Sequence, residues 1–322
     1  MSRFMTRLRA NINDSRIEHR ANTMPWKKDL KKNWGLYLFV LPVIAYYLVF
    51  CYYPMYGATI AFRDYNPAKG ILGSEWVGLK HFISFFSYPD VGRLFRNTMI
   101  MSVVGLVVGR SASIGLALMF HELRYKRLKK ITQTISIFPH FISMVVTCTI
   151  CMQFCMTDGL FNIILGWFGV APKNLLGIPE AFVPVRQIMH LWRSVGWDCI
   201  IMLAAMSGVD QQIYEAARLD GCGRIQQMRH ITLPAIAPTR VITLIMAVGS
   251  LLSVGCEDII LLYNPAIYET ADVISTYVYR KGLVEFSFSY STAVGLINSI
   301  LNIILLLIAN KISKTVTETS LL

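Results

Sequence analysis

The chain has 322 residues, of which 54% are hydrophobic and only 16% charged, and a formal net charge of +12. Soluble domains carry about 25% charged residues, so this chain has too little charge to cover a globule of its size, and the bilayer is its natural solvent. The basic excess comes without an aromatic-interleaved motif or a binding fold, which argues against a nucleic-acid partner.

In chain order, residues 1–33 form a basic segment with nine cations: Arg3, Arg7, Arg9, Arg16, Arg20, Lys27, Lys28, Lys31 and Lys32. Such a segment ahead of a long apolar run reads as a cytoplasmic anchor. The run that follows is too long for a signal-peptide core and has no small-x-small cleavage site. Six apolar runs near the ~20 residues a bilayer requires predict spans at roughly 34–57, 95–120, 131–156, 184–206, 235–262 and 291–311. Lys and Arg favour the N-terminus, the 121–130 connection, the 207–233 loop and the C-terminal Lys311 and Lys314 over the other connections. The expected fold is therefore an all-α integral membrane protein with six transmembrane helices and both termini cytoplasmic. The membrane domain covers 34–311, with a cytoplasmic loop at 207–233 and a tail at 312–322. The outside connections 58–94, 157–183 and 263–290 carry turn signals such as Asn66-Pro67, Gly70 and Gly78.

Seven cysteines are present; Cys148, Cys151 and Cys155 fall on one helical face without His or carboxylate at ligand spacing. They read as small apolar packing residues rather than a metal or redox cluster.

Ionisable residues at membrane depth are candidate functional residues. Arg110 lies in the second predicted span, His190, Arg193 and Asp198 in the fourth, and Glu257 and Asp258 in the outer part of the fifth. Arg110 either pairs with Asp198 or lines a pathway. Trp192 and Trp197 either anchor at the interface or stack on sugar rings. Glu257 and Asp258 are expected to line the pathway, because adjacent acids cannot both face lipid. His140 after Pro139 reads as a packing residue at a kinked helix, with a proton relay as the alternative.

The 207–233 loop is polar and punctuated. Asp210 can cap a helix that runs to Asp220, Gly221 supplies a left-handed cap, a second helix begins near Arg224, and Pro234 starts or kinks the next span. A helix lying on headgroups would carry a Lys/Arg-rich polar face. Mixed charge and small residues fit a protein groove better.

Glu215-Ala216-Ala217, Gly221, Ile231 and Leu233-Pro234 at their fixed spacing resemble the EAA motif of binding-protein-dependent ABC importer permeases, which have the type I fold. Tyr53-Pro54-Met55-Tyr56-Gly57, Phe62-Arg63-Asp64-Tyr65, Trp76-Val77-Gly78, Arg96-Asn97-Thr98, Phe138-Pro139-His140-Phe141 and Leu262-Tyr263-Asn264-Pro265 resemble the LplB-like branch, which imports oligosaccharides released from polysaccharides. The resemblance implies a transport subunit in the bacterial cytoplasmic membrane, and partners: a second and different permease chain, a cytoplasmic ABC ATPase dimer, and an extracellular solute-binding protein. It implies that the loop is a coupling helix docked on the ATPase. Glu215 would contact the ATPase groove, Ala216 and Ala217 would allow close docking, and Leu233 and Pro234 would join the lever to the fifth span. The chain has no G-x-x-x-x-G-K-[ST] cradle, so ATP and Mg would sit on the partner and no cofactor on this chain. The alternatives are an ion-gradient transporter, which would need inverted repeats not evident here, and a membrane-embedded enzyme. The latter lacks H-E-x-x-H and G-x-S-x-G motifs, His121-Glu122 having no second His.

Overall fold

The computed structural model describes residues 26–317; Arg3, Arg7, Arg9, Arg16, Arg20 and residues 318–322 lie outside it. The chain divides into two compact units between Thr59 and Ile60. In the first, a short helix Trp26–Lys32 precedes α1 (Trp34–Tyr46). Asp29 joins the two, accepting from Asn33 Nδ2 and from the Tyr37 hydroxyl, each at 2.6 Å. The helical run continues to Phe62 as a candidate membrane span.

The second unit is almost wholly helical. Its one sheet among the described residues is a two-residue antiparallel pair, β1 (Arg63–Asp64) with β2 (Glu75–Trp76). Gly70 and Gly78 turn the chain around it with φ of 68° and 61°, a region open to glycine at little cost. The principal helices are α2 (Val91–Glu122), α3 (Lys126–Ile137), α4 (Met144–Cys155), α5 (Pro179–Ser207), α6 (Gln211–Leu219), α7 (Ala237–Gly249), α8 (Cys256–Leu262) and α9 (Phe288–Thr317).

Four helical stretches among the described residues are long and apolar enough to cross a membrane: Trp34–Phe62, Val91–Glu122, Met144–Gly166 and Phe288–Thr315. A fifth results if Arg224–Ala235 and Ala237–Gly249, bent by 59°, form one span. The 29-residue α5 is long enough, at about 1.5 Å per residue, but carries Arg186, Arg193 and Asp198 on an otherwise apolar helix.

Two expected spans are broken. The 131–156 run stops at a 3₁₀ turn over Phe138–Phe141, because Pro139 has no N–H to donate. A new helix, α4, starts at Met144 under a cap in which the Ser143 hydroxyl accepts from Val146 N–H. The 235–262 run parts between α7 and α8 over residues 250–255. Irregular backbone at membrane depth must be satisfied by protein, and here it is. Asn302 on α9 accepts from Leu252 N–H at 2.9 Å and donates to Ser253 Oγ at 2.9 Å. Ser275 donates to Val254 C=O at 2.9 Å, and Ser102 on α2 donates to Leu251 C=O.

The core has three apolar clusters. One brings Cys148, Cys151 and Cys155 of α4 against Phe182, Val185 and Met189 of α5 and Ile259 and Leu262 of α8. The three cysteines are buried and free, as packing residues are. A second joins Phe85, Leu94, Tyr277, Val294 and Ile297. The third joins Ala117 and Phe120 of α2, Cys199, Met202 and Met206 of α5, and Ile236.

The 265–284 segment folds back onto the start of α2. Asn97 donates to Glu269 C=O at 2.8 Å and Asp272 C=O at 3.0 Å, and Thr98 Oγ accepts from Ile274 N–H at 3.1 Å. Arg280 then clasps Asp272 through two hydrogen bonds of 3.2 and 2.6 Å. Burial alone would lower the Arg280 pKa, but the paired Asp272 holds it above its ordinary value.

α5 and α3 touch at Gly196, where a Cβ would collide with the Ser136 carbonyl. Close backbone approach at small residues is how helices pack in lipid. Gly196→Ala should cost about 1–3 kcal/mol through overpacking. The measurement is a lowered thermal-unfolding midpoint in detergent, against Gly166→Ala as a control at a site where the added methyl meets open space.

Candidate functional site

The loop after α5 is built by local rules. Asp210 caps α6, its carboxylate accepting from Gln212 N–H at 3.0 Å. α6 ends in a Schellman motif: Cys222 N–H reaches Ala217 C=O at 2.9 Å and Gly221 N–H reaches Arg218 C=O at 3.1 Å. Gly221 has the required positive φ of 80°. The chain restarts at Arg224–Gln227, passes through a π turn Met228–Thr232 and a helical turn Leu233–Ala235, and bends by 59° before Ala237.

The loop is fastened to the body from one side. Tyr214 is buried, and its hydroxyl hydrogen-bonds Thr232 Oγ at 2.9 Å, tying α6 to the returning arm of the loop. Leu233 and Ile236 pack on the α2–α5 cluster, and Ile231 is half-buried. Ala217 is buried as well. This corrects the expectation that both alanines leave the surface open: Ala216 is exposed, whereas Ala217 packs against the chain's own body, because adjacent helical residues point about 100° apart. The outward edge is Glu215, Ala216 and Leu219, the last 90% exposed. Leu219 was not singled out from the sequence; a large aliphatic side chain one helical turn after Glu215 was the available signal.

At membrane depth, a chain of cavities runs between α2, α5 and α7. The first, of ≈ 220 Å³, is lined by Ser102, Arg186, Gln187, His190, Ser250 and Ser253 among others. The second, of ≈ 260 Å³, shares His190 and adds Arg110, Ser194, Asp198 and Thr243. The third, of ≈ 250 Å³, shares Arg110 and Thr243 and adds Arg240.

Three candidate residues, Arg110, His190 and Asp198, thus meet along one track. Arg110 and Asp198 are not ion-paired. Arg110 instead donates to Thr243 C=O at 2.6 Å, a carbonyl made available on the facing helix. Trp197 stacks on His140, with ring centroids 4.4 Å apart and planes 5° apart, at the α3–α4 break. Trp192 and Arg193 line none of these three cavities.

Glu257 and Asp258 diverge. Glu257 is exposed, while Asp258 is 2% exposed and faces Arg186, whose Nη2 stands 2.7 Å from its Oδ2. The contact lies outside hydrogen-bond alignment, so Asp258 Oδ2 and Arg186 Nε have no hydrogen-bond partner. Asp258 therefore does not line the track, as expected of it, but holds Arg186, which does. Arg186 sits near the start of the expected span 184–206 and was not singled out there; α5 begins earlier, at Pro179. Gln187 Nε2 donates to Met101 C=O at 2.9 Å and locks α5 to α2 beside it.

Removing one member of a buried pair strands the other charge, at about 3–5 kcal/mol. Arg186→Met alone should lower the unfolding midpoint in detergent sharply. Arg186→Met with Asp258→Leu should recover most of the loss.

Residues 105–317 match the family described as "Binding-protein-dependent transport system inner membrane component". The chain is 44% identical over 280 residues, 87% of each chain, to the polygalacturonan/rhamnogalacturonan transport system permease protein YteP of Bacillus subtilis (strain 168). It is 40% identical over 290 residues to Protein LplB of the same organism, covering 90% of this chain and 91% of that one. It also superposes on a chain from the crystal structure of a bacterial ABC transporter involved in the import of the acidic polysaccharide alginate. That match has a TM-score of 0.83 and 38% identity, and covers 91% of this chain and 99% of the other. The resemblance carried by Glu215-Ala216-Ala217 and Gly221 is thereby borne out at the level of family and fold: the chain belongs to the inner membrane components of binding-protein-dependent transport systems, as an all-α ABC permease of the type I fold.

Proposed function

We propose that this chain is one of two permease subunits of an ATP-driven importer of acidic oligosaccharides, delivered by an extracellular binding protein. It crosses the membrane six times, counting α5 and the bent fifth span, with both termini and α6 in the cytoplasm. The ATP and Mg are held by a separate ATPase dimer, and the second permease is a different chain.

The observation that carries this reading is the one-sided fastening of α6. Tyr214, Ala217 and Leu233 hold the loop to the body while Glu215, Ala216 and Leu219 face outward. A rigid helix with an outward edge of one acid, one small residue and one aliphatic residue is suited to sit in a groove of another protein. Movement of that protein then passes through Thr232 and Pro234 into α7 as rigid-body gating. A solved relative is an alginate transporter in complex with an alginate pentasaccharide-bound periplasmic protein, which supports the same mode of delivery here.

The acidic substrate is supported by two things. Two of the relatives named above are described by acidic polysaccharides, one as a polygalacturonan/rhamnogalacturonan permease and the other as part of an alginate importer. The track between α2, α5 and α7 bears Arg110 and Arg240, neither of them ion-paired among the described residues, against one unpaired acid, Asp198, while the charge of Arg186 is balanced by Asp258. Guanidinium groups match carboxylate geometry.

Three outcomes are expected. In a mild-detergent pull-down from native membranes, a second permease and a P-loop ATPase accompany the chain, and Leu219→Asp loses the ATPase while keeping the permease. Recovery of the chain alone would sink the reading and favour the gradient-driven transporter, which ionophores would then inhibit. Gly221→Val, which forces a β-branched residue into the left-handed region at about 1–2 kcal/mol, should leave ATP hydrolysis running without uptake in proteoliposomes. Arg110→Gln should reduce uptake of uronic-acid oligosaccharides by about tenfold, the loss of one charge-assisted hydrogen bond, and spare a neutral sugar if one is carried.

A further inference from the structure

The largest of the cavities described lies beside the coupling loop rather than in the membrane track. It has a volume of ≈ 760 Å³ and is walled by four cations, Arg124, Lys129, Arg218 and Arg224, with Glu122 the sole carboxylate in its lining. None of the four cations has an ion pair or a hydrogen bond among the described residues. Four unpaired cations converging on one hollow repel each other unless an anion joins them.

The walls fix the depth of the hollow. His121 and Glu122 close the long apolar α2, and Ser207 closes α5, so the cavity opens where two membrane-depth helices end. Anionic headgroups lie at this level, and each Lys or Arg near such a surface strengthens the attraction to it. Guanidinium forks bind phosphate oxygens in pairs, and a lysine adds a mobile point charge. A protein occupant is disfavoured by the geometry of α6, which turns Gln211, Tyr214 and Arg218 to the cavity but Ala216 and Leu219 away from it.

We infer that this cavity binds a phosphate-bearing anion, the group being shared by an anionic phospholipid headgroup and a cytoplasmic phosphate compound. The bound phosphate joins the α2–α3 turn, through Arg124, and the start of α3, through Lys129, to the coupling loop, through Arg218 and Arg224. Its occupancy stiffens the lever that α6 provides. The inference rests on the reading that the loop faces the cytoplasm.

The test uses the intact transporter in nanodiscs of phosphatidylcholine, with or without phosphatidylglycerol, and the variant Arg124→Gln/Lys129→Gln. Both substituted residues lie on the wall away from α6. Native mass spectrometry should find phosphatidylglycerol retained by the wild type and retained about tenfold less by the variant. The conservative Arg124→Lys/Lys129→Arg should keep it. Cys222, half-buried in the cavity wall, reports occupancy through its rate of maleimide labelling, with the modified site identified by mass spectrometry. Protection by phosphatidylglycerol identifies a lipid. Protection by inorganic phosphate in phosphatidylcholine discs identifies a soluble phosphate. Equal retention and equal labelling in wild type and variant, under every condition, overturn the inference. Loss of the ATPase from the variant also overturns it, because the cavity is then part of the ATPase seat. The topology is read separately: an impermeant maleimide should reach Cys222 in inverted vesicles, and labelling only in right-side-out vesicles would sink the importer orientation instead.

Discussion

Everything in the membrane part of this chain depends on how the gap between α7 and α8 is satisfied. A stretch of backbone over 250–255 leaves helical geometry beside the first cavity of the track, and a peptide group left unpaired away from water costs several kcal/mol. Three side chains from three separate elements, Ser102, Asn302 and Ser275, supply the partners. Their positions then dictate how α2, α9 and the 265–284 segment are arranged. The same gap turns Gly255 toward the Asp258–Arg186 pair, where a Cβ would stand 3.0 Å from Asp258 Oδ1. The polar track along α5 thus exists because the fifth span is interrupted: a continuous helix would fill the space that Ser250 and Ser253 now line.

The 207–233 loop follows a different logic. There the backbone is satisfied locally, by the Asp210 cap, the Schellman motif at Gly221 and the Gly223 N–H donated to Gln226 Oε1 at 2.8 Å. Only a few side chains, Tyr214 with Thr232 and Leu233 with Ile236, couple it to the body. A locally stable unit with few attachments transmits displacement as a whole, and a partner need only hold its outward edge. The π turn at Met228–Thr232 and the 59° bend that follows place the flexion at the start of α7, immediately after that unit.

These two logics explain what was legible in the sequence. The caps of α6, its Gly221 terminator and the bend near Pro234 are short-range features, set by residues within a turn or two, and the spacing of Glu215-Ala216-Ala217 to Gly221 and Pro234 carried the family. The break at 250–255 was not legible, since Ser250 and Ser253 lie in a run that otherwise reads as one apolar span, and the Asn302 that satisfies it is 50 positions from Leu252. The partner of Asp258 was likewise hidden, because Arg186 belongs to another helix and sits where a span boundary was expected. Arg110 and Asp198 line one cavity, but sequence spacing does not say that Arg110 bonds a Thr243 carbonyl rather than the acid. Ala217 shows the limit of a motif: the position was found, and the direction of its side chain was not.

At the contact between Gly196 and Ser136 the bare Cα of one helix meets a backbone carbonyl of the other, with no side chain between them. Two helices joined by bare surface are held by dispersion, which depends on shape alone and is indifferent to what fills the space beside it. Under the proposed function, the track next to α5 fills and empties as cargo passes. An electrostatic weld at that place would strengthen and weaken with each change of local dielectric. The α3–α5 seam is immune to that alternation, so it can serve as a fixed axle around which polar parts of the chain exchange partners.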